Sequence, residues 1–217
     1  MKKDTVIFDL DGTLLDTLDD LADSVDSVMK AFGWPSHTRE EIRGYVGNGV
    51  RKLVERSVPD GEENPRFEEA FAFFKSTYAQ NCNVKTHLYD GVEETVNALV
   101  SKGYKLAVVS NKNDENVKTL CAHYFGESIP FAFGQNDYMR KKPAPDLTEH
   151  AINVLKSEKG RVVYVGDSQI DAETALNTGI DCVLVSWGFR DRDVLEPLRS
   201  IAVIDAPCEL LRVLGET

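Results

Sequence analysis

Short runs of apolar and β-branched residues alternate with helical segments along most of this 217-residue chain, and this alternation constrains the fold more than any other feature. The runs span residues 6–8, 104–109, 131–134, 161–165, 181–185 and 201–204. Strands that are apolar on both faces are typical of parallel sheets covered by helices on both sides. The sequence therefore predicts an α/β fold with a doubly wound, mostly parallel sheet.

The segment between the first and second of these runs has a different pattern. Apolar residues recur at a helical period over residues 18–32 and 64–81, and Thr38 begins a capping-box pattern. No convincing strand interrupts these helices. We therefore predict an all-helical cap domain, residues 17–85, inserted into a core domain formed by residues 1–16 and 86–217.

Composition and charge exclude several classes of protein. The hydrophobic fraction is 42%, but no stretch approaches the roughly 20 apolar residues of a membrane span. The formal net charge is -11 and no basic face is visible, so we expect neither a nucleic-acid nor a membrane partner. The four cysteines form no C-x-x-C pair, and the N-terminus shows no signal peptide. We therefore expect a cytoplasmic protein with reduced thiols.

The stretch after the first apolar run carries two carboxylates. Asp9 and Asp11 are two residues apart, and Gly12 then allows a sharp turn. Acidic side chains at the end of a buried strand are costly unless a cation lies between them, so the pair is a candidate metal site. An exposed turn and the capping of the next helix, which suits Asp16 or Thr17 better, stay open. An EF-hand loop is excluded, because the glycine falls at position 4 instead of 6.

Polar residues also follow the later strands, at the positions where open α/β sheets bind ligands. These residues are Ser110, Asn111, Lys142, Asp167 and Asp171. Alone, Lys142 would be a solvated surface lysine, Asn111 could cap the next helix, and Asp171 could be an acid in the first turn of a helix. Their conjunction with Asp9 and Asp11, in this order, favours a functional site.

At these residues the chain resembles the haloacid dehalogenase-like superfamily of phosphatases. The D-x-D-G-T pattern of that family appears at residues 9–13, and its strand ending in Ser or Thr ends at Ser110. Its lysine before Pro-x-Pro is Lys142, and its acidic G-D-x-x-x-D pattern spans residues 166–171. The resemblance covers the whole chain, including the helical cap, and implies a Rossmann-like core.

The resemblance implies Mg²⁺-dependent hydrolysis of a phosphomonoester through an aspartyl-phosphate intermediate. Asp9 would be the nucleophile, and Asp11 the general acid and then the general base. Ser110 would donate to a phosphoryl oxygen, and Lys142 would neutralise charge on that oxygen and on Asp9. The implied Mg²⁺ residues are Asp9, the backbone carbonyl of Asp11, Asp167, and Asp171 either directly or through a neighbouring ligand.

Substrate choice is expected to depend on the cap. The glycine-rich loop at residues 44–51 fits neither a Rossmann nor a P-loop template, and it could be a loose helix start. In the phosphoglycolate phosphatase-like branch, similar loops lie near the active site. Residues 187–190 also resemble a segment of that branch. We therefore hypothesise that the substrate is 2-phosphoglycolate or a similar small phosphorylated metabolite, with Arg51 or Lys52 reading its distal carboxylate. The candidate substrate-binding residues are Thr13, Asn111, Gly47, Asn48, Gly49 and Arg51.

Other activities on the same fold stay open. They are a pyrophosphatase, a nucleotide or sugar-phosphate phosphatase, a phosphomutase, and a non-catalytic regulatory protein. The last is disfavoured because unused buried carboxylates would only lower stability. For the assembly we expect a monomer or a homodimer.

Overall fold

A computed structural model describes residues 2–216 and divides the chain into two compact units. One unit contains the residues up to Leu15 and from Leu88 onward, and the other contains Asp16–His87. These limits differ by one or two residues from the boundaries that the sequence predicts for core and cap. The functional division into a catalytic core and a cap stays a prediction.

A parallel sheet organises the first unit. The strands of the described chain are β1 (Thr5–Phe8), β2 (Leu15–Asp16), β3 (His87–Leu88), β4 (Lys105–Asn113), β5 (Phe131–Gln135), β6 (Val162–Gly166), β7 (Asp181–Val185) and β8 (Ala202–Ile204). Six of them form one sheet in the order β5-β4-β1-β6-β7-β8, and β2 and β3 form a separate two-stranded sheet. Every pairing described within the six-stranded sheet is parallel, which confirms the predicted fold class.

Helices cover both faces of this sheet. The helices of the described chain are α1 (Leu18–Phe32), α2 (Arg39–Tyr45), α3 (Val50–Ser57), α4 (Phe67–Asn81), α5 (Val92–Ser101), α6 (Asp114–Tyr124), α7 (Asp146–Val154), α8 (Gln169–Thr178), α9 (Arg192–Leu195) and α10 (Glu209–Val213). Val6 and Phe8 of β1 belong to a core that includes apolar residues of α5, α6 and α10. Ile7, on the opposite face of the same strand, belongs to a core built with α7 and α8. The sheet is therefore doubly wound, as its apolar strands predict.

The second unit consists mainly of the four helices α1–α4. The capping box predicted at Thr38 is confirmed, because its hydroxyl accepts the Glu41 N–H at 3.2 Å and Glu41 accepts the Thr38 N–H at 2.7 Å. The helix predicted over residues 64–81 begins only at Phe67. Its first residues form a turn instead, in which the Asn64 side chain accepts the Arg66 N–H at 2.9 Å.

A buried carboxylate joins the two ends of this helical unit. Asp20, in the first turns of α1, accepts backbone N–H groups of Val84, Lys85 and Thr86 at 2.9 to 3.1 Å. The Thr86 hydroxyl also donates to Asp20, at 2.8 Å. The segment that leaves the unit is thereby hydrogen-bonded to the helix that begins it.

Strand β4 is longer than the run of residues 104–109 predicts, because it continues to Asn113. Ser110, Asn111 and Lys112 are polar but buried, and the pairing of β4 with β5 shifts register after Val109. The boundary predicted at residue 109 therefore marks the change from apolar to polar side chains, whereas the strand itself ends at Asn113. Among the described helices, none is long and apolar enough to cross a membrane.

Candidate active site

The end of β1 holds the first carboxylate in a defined position. The Asp9 N–H donates to the Val165 carbonyl of β6 at 2.8 Å, which continues the pairing of the two strands. The Leu10 N–H donates to the Asp9 side-chain oxygen Oδ1, also at 2.8 Å. Gly12 then takes a positive φ of 84° and turns the chain back, so that its N–H donates to the Leu15 carbonyl.

Three carboxylates from two strand ends meet beside β1. Asp9, Asp167 and Asp171 each offer an oxygen, and these atoms lie within 4.8 Å of one another. Asp167 follows β6, and Asp171 lies in the first turn of α8; all three side chains are buried. The structure therefore brings together three of the four residues that the sequence predicts to hold a metal.

One buried lysine contacts this cluster. Lys142 is 2% exposed, and its Nζ lies 2.8 Å from Asp9 Oδ1 and 2.7 Å from Asp171 Oδ1. Nζ also donates to the Tyr164 hydroxyl at 3.0 Å. Burial acts to lower the pKa of Lys142, but the carboxylates of Asp171 and Asp9 outweigh it and raise this pKa well above its usual value. The interpretation of Lys142 as a solvated surface lysine is wrong.

This one lysine does not neutralise the charge of the three carboxylates. Burial raises the pKa of Asp9 to about 7, although Lys142 opposes the rise, and the neighbouring Asp171 adds to it. Burial likewise raises the pKa of Asp167 well above its usual range, with further contributions from Asp171 and Asp9. When the three carboxyl groups are ionised, their negative charge exceeds the positive charge of the one ammonium that contacts them. A buried, oxygen-only site with this charge fits a hard divalent cation.

Asp171 also has the helical role that the sequence leaves open. Its Oδ2 accepts the Ser168 N–H at 3.1 Å and the Ser168 hydroxyl at 2.6 Å, which is a capping box at the start of α8. Its Oδ1 accepts from Lys142. Both oxygens of Asp171 thus have protein donors, so the residue holds Lys142 and the helix start at the same time.

The polar end of β4 lies beside the lysine. Ser110 is buried, and its hydroxyl accepts the Lys112 N–H at 3.2 Å. The Asn111 amide donates to the Lys142 carbonyl at 3.1 Å and so connects β4 to the segment that carries Lys142. The residue that caps α6 is Asn113, which accepts the Glu115 N–H, so the alternative of Asn111 as the cap is wrong.

Comparison with known proteins agrees with this geometry. Residues 6–185 match the family model described as haloacid dehalogenase-like hydrolase. The chain belongs to the haloacid dehalogenase-like hydrolases.

Its relatives include phosphoglycolate phosphatases. The chain is 33% identical to a phosphoglycolate phosphatase of Aquifex aeolicus over 85% of both chains, and 34% identical to one of Nitrosospira multiformis over 88% of this chain and 87% of that one. Among solved structures, a protein of Lactobacillus delbrueckii subsp. bulgaricus, itself only a proposed phosphoglycolate phosphatase, is 34% identical with a TM-score of 0.93 over 100% of both chains. A predicted phosphoglycolate phosphatase of Haemophilus somnus is 26% identical, with a TM-score of 0.90 over 98% of both chains. This hydrolase is a phosphatase of the phosphoglycolate phosphatase-like branch.

In this hydrolase Asp11, the second aspartate of the D-x-D-G-T pattern, has a partner that the motifs do not include. The Asp11 carboxylate lies apart from the three clustered acids and accepts from Lys112 Nζ at 2.7 Å. The Lys112 side chain is only 2% exposed. A signal exists in the sequence, because Lys112 is two residues after Ser110, and residues two apart on a strand share a face.

The loop after β7 contacts both acidic motifs of the hydrolase. The Phe189 N–H donates to Asp167 Oδ2 at 2.6 Å, and the Trp187 indole donates to the Thr13 carbonyl at 3.0 Å. A Cβ on Gly188 would lie 2.5 Å from the Asp167 Cβ, so only glycine fits there. Thr13 itself is buried and lines an apolar cavity between the sheet and α5. Its assignment to substrate binding stays a prediction.

The predicted substrate residues of the cap lie together in the helical unit. Gly47 and Gly49 both have positive φ, and Asn48 accepts from the Arg56 guanidinium at 2.9 Å. Arg51 has other partners: it donates to Glu62 at 2.8 Å and to Glu68 at 2.5 Å, and it also stacks on two phenylalanine rings of α4. Its role in reading a substrate carboxylate stays a prediction, and that role would require it to exchange these partners.

Proposed function

We propose that this phosphatase is a Mg²⁺-dependent phosphomonoester hydrolase that acts through an aspartyl-phosphate intermediate on Asp9. The observation that carries the proposal is the buried cluster of Asp9, Asp167 and Asp171, with Lys142 in contact with the first and the last of them. Such a cluster supplies a carboxylate nucleophile together with the positive charge that phosphoryl transfer requires.

Asp9 is held ready to attack. Lys142 Nζ and the Leu10 N–H both donate to its Oδ1, which holds that oxygen in place. In the first step, an Asp9 oxygen forms a bond to phosphorus while the bond from phosphorus to the leaving oxygen breaks. Asp11, in its protonated form, gives its proton to that leaving oxygen.

The second step releases the phosphate. The Asp11 carboxylate takes a proton from a water molecule, and the resulting hydroxide attacks phosphorus while the bond to Asp9 breaks. Ser110 donates to a phosphoryl oxygen, and Lys142 neutralises charge on that oxygen and on Asp9. Inorganic phosphate leaves, and Asp9 returns to its starting form.

The groups that would hold Mg²⁺ are the carboxylates of Asp9 and Asp167 and the backbone carbonyl of Asp11, with Asp171 next to them. Bound Mg²⁺ would neutralise charge on the transferring phosphoryl group. Asp171 contributes by holding Lys142, since both of its oxygens already accept protein donors.

We favour 2-phosphoglycolate, or a similarly small phosphorylated metabolite, as the substrate. The names of the relatives from Aquifex aeolicus and Nitrosospira multiformis support this choice, as does the glycine-rich loop at residues 47–49. A cytoplasmic location, and a monomeric or homodimeric assembly, belong to the same proposal.

The test is Mg²⁺-dependent phosphate release from 2-phosphoglycolate, compared with a generic aryl phosphate, sugar phosphates, nucleotides and pyrophosphate. We expect 2-phosphoglycolate to have the highest kcat/KM, and Asp9→Asn to abolish release. Asp193→Asn, at an exposed aspartate of α9, serves as the matched control and should leave the rate unchanged. A higher kcat/KM for another substrate would retain the chemistry and reject the substrate. Transfer of phosphate between sugar phosphates would indicate a phosphomutase instead.

The role of Arg51 needs a separate comparison. We expect Arg51→Ala to raise the KM for 2-phosphoglycolate at unchanged kcat, because only binding of the distal carboxylate would be lost. Arg66→Ala is the control, since Arg66 also pairs with an acid of α4 and stacks on a ring of the same unit. An unchanged KM in Arg51→Ala would show that Arg51 only stabilises the helical unit.

A further inference from the structure

One buried hydroxyl group connects two parts of the site that the proposed mechanism uses separately. Tyr164 lies on β6 and is fully buried. Its Oη accepts a hydrogen bond from Lys142 Nζ at 3.0 Å and donates one to the Val109 carbonyl at 2.9 Å. Val109 directly precedes Ser110, so the hydroxyl contacts both the lysine and the backbone that presents the serine.

The sheet register explains how Tyr164 reaches both partners. Tyr164 pairs with Ile7 of β1, and Ile7 pairs on its other side with Ala107 of β4. Val109, two residues beyond Ala107, lies on the same face of the sheet. The tyrosine ring therefore reaches across β1, within the apolar core on that face. A phenylalanine would fill this space as well, so the hydroxyl is the informative part of the residue.

The hydroxyl completes the hydrogen bonding of a buried cation. A protonated lysine has three N–H donors, and the structure gives Lys142 three acceptors: Asp9, Asp171 and Tyr164. Without the Tyr164 hydroxyl, one N–H of a buried ammonium would lose its acceptor. The ammonium could then pivot between the two carboxylates, and its placement on Asp9 would no longer be unique.

We propose that Tyr164 is a positioning residue that fixes the Lys142 ammonium against Asp9 and also fixes the backbone before Ser110. Its kinetic consequence rests on the proposed phosphatase mechanism. The hydroxyl touches no reacting atom, so it acts through Lys142 and Val109. Its loss therefore slows the chemical step and leaves substrate affinity unchanged.

The first experiment compares Tyr164→Phe with Tyr104→Phe in the Mg²⁺-loaded enzyme, using the preferred substrate of the panel. Tyr104 is a suitable control because its hydroxyl also has one protein acceptor, Glu216 at 2.9 Å, outside the site. We expect Tyr164→Phe to lower kcat about tenfold, with KM within about twofold of the wild type, and the control to change neither. The folded fraction of each variant is measured by circular dichroism at the assay temperature.

The second experiment measures the Lys142 ammonium directly and does not require an active enzyme. In protein labelled with ¹⁵N-lysine, proton exchange of the Lys142 ammonium is followed by NMR. We expect Tyr164→Phe to accelerate this exchange about tenfold, the effect of losing one hydrogen bond, and Tyr104→Phe to leave it unchanged.

The outcomes separate this proposal from the proposed function. A wild type that is inactive across the panel would reject the phosphatase mechanism, and the exchange rate would then decide the role of Tyr164. In an active enzyme, an unchanged kcat in Tyr164→Phe would overturn the proposal. So would a decrease in kcat that only matches a loss of folded protein, or an unchanged exchange rate.

Discussion

Replacing Lys142 with methionine tests whether the carboxylate cluster depends on the buried lysine that contacts it. Methionine is similar in length and apolar, so the change removes the charge with little change in packing. The side chain is 2% exposed, and its Nζ lies within 3.0 Å of two carboxylates and one hydroxyl. Removing one partner of such a buried ion pair leaves an uncompensated buried charge, which costs about 3–5 kcal/mol. We therefore expect Lys142→Met to lower the free energy of unfolding by about this amount at pH 8 without metal.

The dependence of this loss on pH follows from the pKa of the remaining acids. Burial has already raised the pKa of Asp9 to about 7, and the lysine that opposes this rise would be gone. A carboxyl whose pKa is higher in the folded protein than in the unfolded chain takes up a proton on folding, so lower pH favours the folded state. One extra bound proton changes stability by about 1.4 kcal/mol per pH unit. The penalty of Lys142→Met should therefore decrease markedly between pH 8 and pH 5.5.

The measurement is urea denaturation with a chelator at both pH values. Lys159→Met is the matched control, because Lys159 pairs with Glu149 at 2.6 Å but is 49% exposed. Exposed pairs contribute about 0.2–1 kcal/mol, so the control should lose no more than this at either pH. A loss below 1 kcal/mol at pH 8, or a loss that is equal at both pH values, would refute the account of the cluster as under-compensated acids.

Three further predictions follow from other contacts of the site. With the pKa of Asp9 at about 7, Mg²⁺ binding should release a proton and weaken as pH falls from 8 to 6, which calorimetry in buffers of different ionisation enthalpy would detect. Gly188→Ala should destabilise the protein by about 1–3 kcal/mol through steric overlap, whereas Gly44→Ala, with open space around it, should be neutral or stabilising in thermal melts. Lys112→Met should lower kcat about tenfold at unchanged KM, because Asp11 loses the cation that orients it, and Lys112→Arg should recover part of this loss in steady-state assays.

Much of the core could be predicted because its signals are local. Strands such as β1 and β7 are mainly apolar and β-branched, and helices such as α8 end directly before a glycine. The motif residues come directly after these strands, so parallel pairing alone brings Asp9 and Asp167 to one edge of the sheet. Local pattern and global topology agree here, and prediction is reliable under that condition.

The rest depends on contacts between residues far apart in the chain. Lys112 pairs with Asp11 across 101 positions, and its spacing of two residues from Ser110 indicates a shared face but does not identify its partner. The Tyr164 hydroxyl is equally invisible, because the residue sits in a run that predicts only a buried strand. Within the helical unit, the pairing of Arg51 with Glu62 and Glu68 likewise depends on how two helices and a loop pack. Such pairings need the register of the fold, which periodicity does not supply.

Charge nevertheless gives a more general rule than motif matching for this site. Each buried acid is unfavourable alone, so a chain that places several at strand ends must also supply cations within contact distance. Lys142 satisfies this requirement for Asp9 and Asp171, and the remaining charge is what a divalent cation would neutralise. Asp11 is only partly buried, and it too has a cation within contact distance, Lys112. Asking which cation accompanies each predicted acid therefore directs attention to polar strand ends such as that of β4, and the register of the fold then identifies Lys112, which belongs to none of the motifs that identify the family.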